Sequence, residues 1–320
     1  MKESSFEKFS YALRPAKNIE RKMLCEAFGR LPRIAALSSY RYVGFGAIGF
    51  HDFSLFHQRL GISDMVSIEG NVVAQERITH NIPYSCIQMK WGMSHDVLPQ
   101  LEWSKRTILW LDYERPLDTM KLEDVAFVAA NVPSGSMVII TVPADPGEVA
   151  ANDDMSEKRL SDLRSRVGKA HIPPNLAGKR LAKWGMAEAS QQIIVNQLRK
   201  TLCDRNAPLE GDERLKYLQL FNFHYADGVK MLSVGGLILN ATDESKLSVP
   251  HFQDLEFYRP GEDAYLIESP LLTSREIKAL DKMLPHSAPD VPEPVWIPEA
   301  ERKKYSRVYR YFPAFSEVET

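Results

Sequence analysis

Between residues 40 and 142 the apolar positions fall into short blocks separated by polar, turn-rich stretches. Five blocks read as strands: Tyr40–Gly46, Met65–Glu69, Tyr84–Gly92, Arg106–Glu114 and Ser136–Val142. Each is too short for a helix and rich in β-branched or aromatic residues. Between them, HDFSLFHQRLG (51–61) and LEDVAFVAANV (122–132) carry the 3.6-residue rhythm of amphipathic helices, the first closed by Gly61. Strand ends recur at intervals of about 20 residues, the step of a βα unit, which predicts a parallel sheet with right-handed crossovers. Ligands are then expected beyond the carboxyl ends of the strands.

Upstream, residues 16–31 read as an amphipathic helix, with Ile19, Met23, Leu24 and Phe28 on one side and Lys17, Arg21, Lys22 and Arg30 elsewhere. Downstream, the rhythm breaks after Pro143. Residues 145–157 are acidic and turn-rich, and 158–200 are helical in propensity, interrupted by HIPPNLAG. Alternation returns at 215–239, where Asp227-Gly228 predicts a two-residue hairpin between a sixth and a seventh strand. A short strand, YLIES (265–269), precedes a helix with the capping-box pattern Thr273…Glu276, and the Pro-rich stretch from His286 to Pro298 reads as an arm. The expected fold is α/β: a Rossmann-like doubly wound sheet of about seven strands with an antiparallel last strand. The expected division is an N-terminal helical segment (1–34), a nucleotide-binding core (35–144 and 214–245), a helical basic insertion (145–213) and a C-terminal strand–helix segment with its arm (246–320).

Composition narrows the class. With 44% hydrophobic residues and a formal charge of −2, the chain has material for a core and no global basic excess. Three dispersed cysteines form neither a CxxC pair nor a zinc pattern, no metal-ligand spacing occurs among the histidines, and no apolar run is long enough for a signal peptide or a membrane span. A cytoplasmic protein is expected. His224, set in an apolar strand, reads as a satisfied core histidine.

The chemistry-bearing pattern is Gly44-Phe45-Gly46-Ala47-Ile48-Gly49, lying between a strand and a helix, with Glu69 twenty residues further on at the end of the second strand. Glycines let the backbone turn and approach a nucleotide closely, and a carboxylate at that distance can accept both hydroxyls of a ribose. A dinucleotide and S-adenosylmethionine both fit, so a nicotinamide-dependent oxidoreductase is one reading. The polar loop Ser94-His95-Asp96 after the third strand, Asp112-Tyr113-Glu114 after the fourth, and the antiparallel closing hairpin favour the methyl donor.

The run YRYVGFGAIGFHDFSLFHQRLGISDMVSIE, then HDVLPQLEWSKRTILWLDYE and SGSMVIITV, resembles a family of prokaryotic O-methyltransferase-like proteins, as do the opening YALRPAKNIERKML and the later LLTSREIKALDKMLP. The resemblance implies a class I S-adenosylmethionine-dependent methyltransferase, with O-methyl transfer in the family's name and a place in phage defence. Carried across, Gly44, Phe45, Gly46 and Gly49 form the cofactor loop and Glu69 holds the ribose. Ser94, His95 and Asp96 lie beside adenine, and Asp112 faces the methionine moiety or the acceptor. The chain departs from amine and cytosine methylases: no Asp-Pro-Pro-Tyr or Asn-Pro-Pro-Tyr follows the fourth strand, and no cysteine follows a proline.

Methyl transfer from a sulfonium asks mainly for in-line placement, with a base where the acceptor is a hydroxyl. Asp112, Glu114 and His95 are the candidate catalytic groups. Asp112 and Glu114 could share a hard cation only if the chain turns between them. Residues 158–200 hold ten Lys/Arg against two acids, with Trp184 among them. Arg164, Arg166, Lys179 and Arg180 are the first candidates to grip a phosphate-bearing acceptor or a nucleic acid, against the plainer reading of a solvated helical face. Arg14, Lys17, Arg21 and Lys22, which closely precede the first strand, could line the same mouth. A cofactor-binding or sensor module, working with a protein partner or a second copy, is the alternative to an enzyme.

Overall fold

The computed structural model describes residues 14–147, 153–247, 251–285 and 296–313. The arm expected across 286–298 falls outside these stretches as far as residue 295, as do the start of the N-terminal segment and part of the acidic stretch 145–157.

The helices are α1 (Pro15–Phe28), α2 (His51–Leu60), α3 (Gln75–His80), α4 (Ser94–Val97), α5 (Thr119–Asn131), α6 (Asp153–Val167), α7 (Gly185–Arg205), α8 (Ala241–Ser245), α9 (Ser274–Asp281) and α10 (Glu299–Val308). The strands are β1 (Arg41–Gly44), β2 (Asp64–Glu69), β3 (Ile87–Trp91), β4 (Thr107–Asp112), β5 (Ser136–Pro143), β6 (Lys216–Ala226), β7 (Lys230–Leu239) and β8 (Tyr265–Ile267). They form one sheet in the order β3-β2-β1-β4-β5-β7-β6-β8. The first five strands are mutually parallel, and β7 runs antiparallel to both β5 and β6. The sheet therefore has eight strands where about seven were expected, because the short apolar segment 265–267 adds in parallel to β6.

Side-chain alternation explains how both faces are covered. Val43, Leu109, Leu111, Val138 and Ile140 point into one core with Val125, Val128, Leu163, Ile194 and Leu198 from α5, α6 and α7. Their chain neighbours Tyr42, Ile108, Trp110, Met137 and Ile139 point into the other with Ile19, Met23, Phe53 and Phe56 from α1 and α2. Residues 145–213 thus share the core of the sheet: α6 and α7 lie in the crossover between β5 and β6. The C-terminal segment likewise contributes β8 to the sheet and Val308 and Tyr311 to the second core. Among the described residues, α9 and α10 also build a small cluster of their own, around Leu280, Ile297 and Tyr305. The capping box at Thr273 and Glu276 forms as expected.

Two local expectations are revised. The β6–β7 loop has three residues, since Ala226 pairs with Lys230 and Gly228 takes φ +91° at its centre. Asp227 in that loop also caps α1: its carboxylate accepts from the backbone N–H of Ala16 (3.2 Å) and of Lys17 (2.9 Å). His224 is buried but only half conforms to a satisfied core histidine. It stacks on Trp184 (5.0 Å between ring centroids, 22° between planes), and its Nε2 has no hydrogen-bond partner.

That burial carries a pH signature. Desolvation lowers the His224 imidazole from its ordinary 6.5 to about 4, so the folded protein keeps it neutral where the unfolded chain would protonate it. Its contribution to stability is complete above pH 6.5 and is lost as pH falls toward 4. Through this group alone the protein should lose on the order of 2–3 kcal/mol across that window. Urea unfolding of wild type and His224→Phe at neutral and acid pH checks this: the aromatic replacement, which keeps the stack, should remove that part of the pH dependence.

Candidate active site

The carboxyl end of β1 lies between β2 and β4, with Gly44 in register with Ser67 on one side and Trp110 on the other. The crossovers change direction here, the position at which doubly wound sheets hold their ligands in a crevice. The glycine loop fills its base. A Cβ on Gly44 would lie 2.7 Å from the Tyr42 hydroxyl and 3.2 Å from the Trp110 carbonyl oxygen. On Gly46 it would lie 2.5 Å from the Phe50 ring and 2.7 Å from Ser67 Oγ. The glycines are required for space; the left-handed backbone of the turn is carried instead by Ala47 and Phe50, both at φ 45°. Non-glycine residues held there are strained, and such strain concentrates at ligand sites. The Gly46 N–H donates to Ser67 Oγ at 3.0 Å, which ties the loop to β2. Gly49 is the least demanding of the three, since a Cβ there would meet only the movable ring of His51.

Glu69 ends β2 as expected, half-buried. Burial raises its carboxyl above the ordinary value, opposed by the backbone N–H groups of Asn71 (2.7 Å) and Gly70. Beside it stand exposed apolar side chains, Val72, Val73 and Met93, of which Met93 comes within 2.7 Å of where a Gly70 Cβ would be. The loop after β3 divides. Ser94 turns inward and donates to Asp124 of α5. His95 and Asp96 face outward, with 3.4 Å between Nε2 and Oδ2.

Asp112 ends β4 with its side chain 18% exposed, and its Oδ2 meets the Lys17 ammonium at 2.8 Å. That ammonium also meets Glu20 Oε2 at 2.7 Å, donates to the Tyr225 hydroxyl at 3.1 Å and lies 4.4 Å from the centre of the Trp110 ring. Glu114 stands exposed two residues beyond the strand, while Tyr113 between them is buried and donates to Asp124 at 2.6 Å. Arg21 sits near Asp52, which accepts from the Tyr42 hydroxyl; burial raises the Asp52 carboxyl and the Arg21 charge opposes that rise.

α1 therefore differs from its sequence reading. Lys17, Glu20 and Arg21 lie on its buried side together with Leu24 and Phe28. The signal was present, since these five positions follow the i, i+3, i+4, i+7, i+11 spacing of one helix face. Asp124 was not singled out either, although it lies four residues before Val128 on the buried face of α5. It is 3% exposed and accepts from both Ser94 and Tyr113, and burial raises its carboxyl above the ordinary value against those two bonds.

The basic candidates do not act as a set. Arg164, Lys179 and Arg180 are exposed, but Arg166 is half-buried and donates to the Leu117 carbonyl at 3.0 Å, clipping α6 to the chain after β4. Among the described residues no group of three or more His, Cys, Asp or Glu side chains is placed to hold a metal, and no helix is long and apolar enough to cross a membrane.

A sheet in this order, with β7 inserted antiparallel beside β5 and a glycine loop at the end of β1, has the architecture of class I methyltransferases. A family model described as "Putative O-methyltransferase" matches residues 9–320, and the chain belongs to that family. No curated protein matches it. Among solved structures the chain is similar to the O-methyltransferase TomG from Streptomyces achromogenes in complex with S-adenosylmethionine (13% identity, TM-score 0.38, 67% of this chain and 78% of that one). It is similar as well to a DUF574 family protein from Streptomyces avermitilis (13%, 0.37, 68% and 82%). A third is TYW2 from M. jannaschii in complex with AdoMet (12%, 0.36, 67% and 75%).

The shared carboxylate of Asp124 yields a prediction about coupling. Asp124→Ala leaves two buried hydroxyls without an acceptor and should cost about 2–4 kcal/mol of unfolding free energy. Combined with Tyr113→Phe, the loss should fall short of the sum by about 1 kcal/mol, as measured by a double-mutant cycle in urea.

Proposed function

We propose that this protein transfers the methyl group of S-adenosylmethionine, and that the acceptor atom is an oxygen. One observation carries the reading: the cradle at Gly44 and Gly46, too tight for any Cβ, is flanked across the crevice by Glu69 on β2 and Asp112 on β4. The residues fit the donor part by part. The glycine backbone can lie against the nucleoside, Glu69 can accept from the ribose hydroxyls, and the exposed faces of Val72, Val73 and Met93 suit adenine, with His95 and Asp96 at its edge and Ser94 holding their loop through Asp124. The donor supplies a methyl group already activated by the sulfonium. The protein's own task is to place an acceptor in line and receive its proton. Of the three candidate bases, Asp112 is engaged by Lys17, Glu114 is exposed just beyond β4, and His95 lies on the loop after β3, paired with Asp96.

That engagement of Asp112 favours a second reading, a cofactor-binding module that works through a partner or a second copy. Turnover separates the two: a methyltransferase releases S-adenosylhomocysteine with an acceptor pool, and a module binds donor and product without turnover. A place in phage defence belongs to the enzyme reading and would make protection depend on the cofactor site.

Glu69→Ala should weaken S-adenosylmethionine binding by about 1.5–3 kcal/mol in calorimetry while leaving the melting transition in place. Unchanged affinity in a folded variant removes Glu69 from the site. Tight NADH binding without S-adenosylmethionine binding would return the oxidoreductase reading.

For a phosphate-bearing acceptor, the exposed Arg164, Lys179 and Arg180 are the groups to test. Binding of labelled RNA and DNA oligonucleotides should fall steeply between low and moderate salt as counterions are released, and reversing these three charges should abolish it. No binding at low salt would end the nucleic-acid reading and leave a small molecule or a protein as acceptor.

A further inference from the structure

We propose that Lys17 is the residue that receives the α-carboxylate of S-adenosylmethionine, and that the Lys17–Asp112 pair opens to admit the amino-acid end of the cofactor. The ammonium of that end takes Asp112 and its carboxylate takes Lys17. The inference rests on the cofactor reading above and deepens it.

Placement comes first. Asp227 of the β6–β7 loop binds the first two free N–H groups of α1 and so fixes the start of that helix at the carboxyl edge of the sheet. Lys17, in the first turn, is thereby set beside Asp112 at the end of β4. The Trp110 ring beneath its ammonium belongs to the residue that pairs with Gly44, where the glycine loop begins. That indole is itself anchored, its N–H donating to Thr141 Oγ1 at 2.9 Å.

Exposure then gives an order of approach. The side chain of Asp112 is 18% exposed, that of Lys17 4% and that of Glu20 0%. A ligand entering the crevice meets the carboxylate first and the ammonium directly behind it. An amino acid is the complement of such a pair, with an ammonium and a carboxylate on one carbon.

Charge accounting favours exchange over simple addition. Breaking an ion pair in the interior by leaving one partner alone is strongly unfavourable. Insertion of a zwitterion leaves nothing alone: Asp112 exchanges one ammonium for another, and Lys17 exchanges one carboxylate for another while keeping Glu20 and the Tyr225 hydroxyl. Glu20, Asp52 and Asp112 stand here against two cations, Lys17 and Arg21. The cluster therefore suits a ligand end that brings its own cation, and a bare carboxylate would be repelled.

The test uses calorimetry on the full chain with three ligands: S-adenosylmethionine, decarboxylated S-adenosylmethionine and 5′-methylthioadenosine. The second lacks only the carboxylate, and the third lacks the whole amino-acid end. Wild type should prefer S-adenosylmethionine over the decarboxylated form by roughly tenfold or more, the scale of one charge-assisted hydrogen bond. Lys17→Met should bring the two affinities together, chiefly by weakening S-adenosylmethionine, with 5′-methylthioadenosine unchanged; Lys17→Arg should keep part of the preference. A wild type without preference overturns the proposal, and this needs no variant to fold. A preference that survives in Lys17→Met overturns it too. If that variant loses 5′-methylthioadenosine along with the rest, Lys17 supports the site as a whole and the proposal also falls. Failure of wild type to bind any of the three is a different result, since it removes the cofactor reading itself.

Discussion

At the end of β1 neighbouring side chains and the β4 backbone crowd the chain so closely that two of its positions have no room for a Cβ. The Gly44 Cα is wedged between the Tyr42 hydroxyl and the Trp110 carbonyl, and Gly46 between the Phe50 ring and Ser67 Oγ. Closeness of this kind follows from the position of β1, between β2 and β4, where the crossovers part in opposite directions. The same crowding pushes the turn into left-handed backbone at Ala47 and Phe50, two residues that do not favour it. A turn held this way stays in place because its surroundings over-determine it: Gly46 N–H is tied to Ser67, and Phe50 is buried against Phe53. The crevice is therefore preformed, and its shape is set by sheet topology more than by the loop's own preferences.

Around that crevice the protein accepts a cost that packing alone would avoid. Lys17, Glu20, Arg21, Asp52 and Asp124 are all buried, and ionisable groups in a core are in general no better for stability than apolar ones of the same size. The fold meets the cost by pairing. Lys17 lies between Glu20 and Asp112, and Asp124 takes two hydroxyl donors. Charge kept at such expense, at the carboxyl end of a doubly wound sheet, is a mark of a site more than of a core.

Much of this was legible before the structure. Short apolar strand blocks set between helical segments, the glycine loop after the first of them and the antiparallel pair at 215–239 point to a doubly wound sheet with an antiparallel strand, because each is a local pattern with few alternatives. What escaped depended on contacts distant in the chain. Asp227 reads as a turn residue, and its second role as the cap of α1 spans more than two hundred positions. Arg166 counts as a free cation in the sequence and is a structural donor to Leu117 in the fold. The charges of α1 were the nearest miss: spacing places Lys17, Glu20 and Arg21 on the apolar stripe, but charge made the opposite face the simpler assignment.

Asp124 shows how the parts act together. Ser94 belongs to the loop after β3 and Tyr113 to the exit of β4, so one carboxylate on α5 holds two loops that no sequence proximity connects. The Tyr113 ring in turn packs edge-on against Phe45 of the glycine loop, 5.3 Å between centroids. The loops that follow β1, β3 and β4 are thus joined by one hydroxyl pair and one aromatic contact. A small displacement at any of them is carried to the other two, since a buried carboxylate cannot give up a donor without leaving that donor unpaired in the interior. The three loops are therefore braced against one another through α5 and the glycine loop, although each follows a different strand.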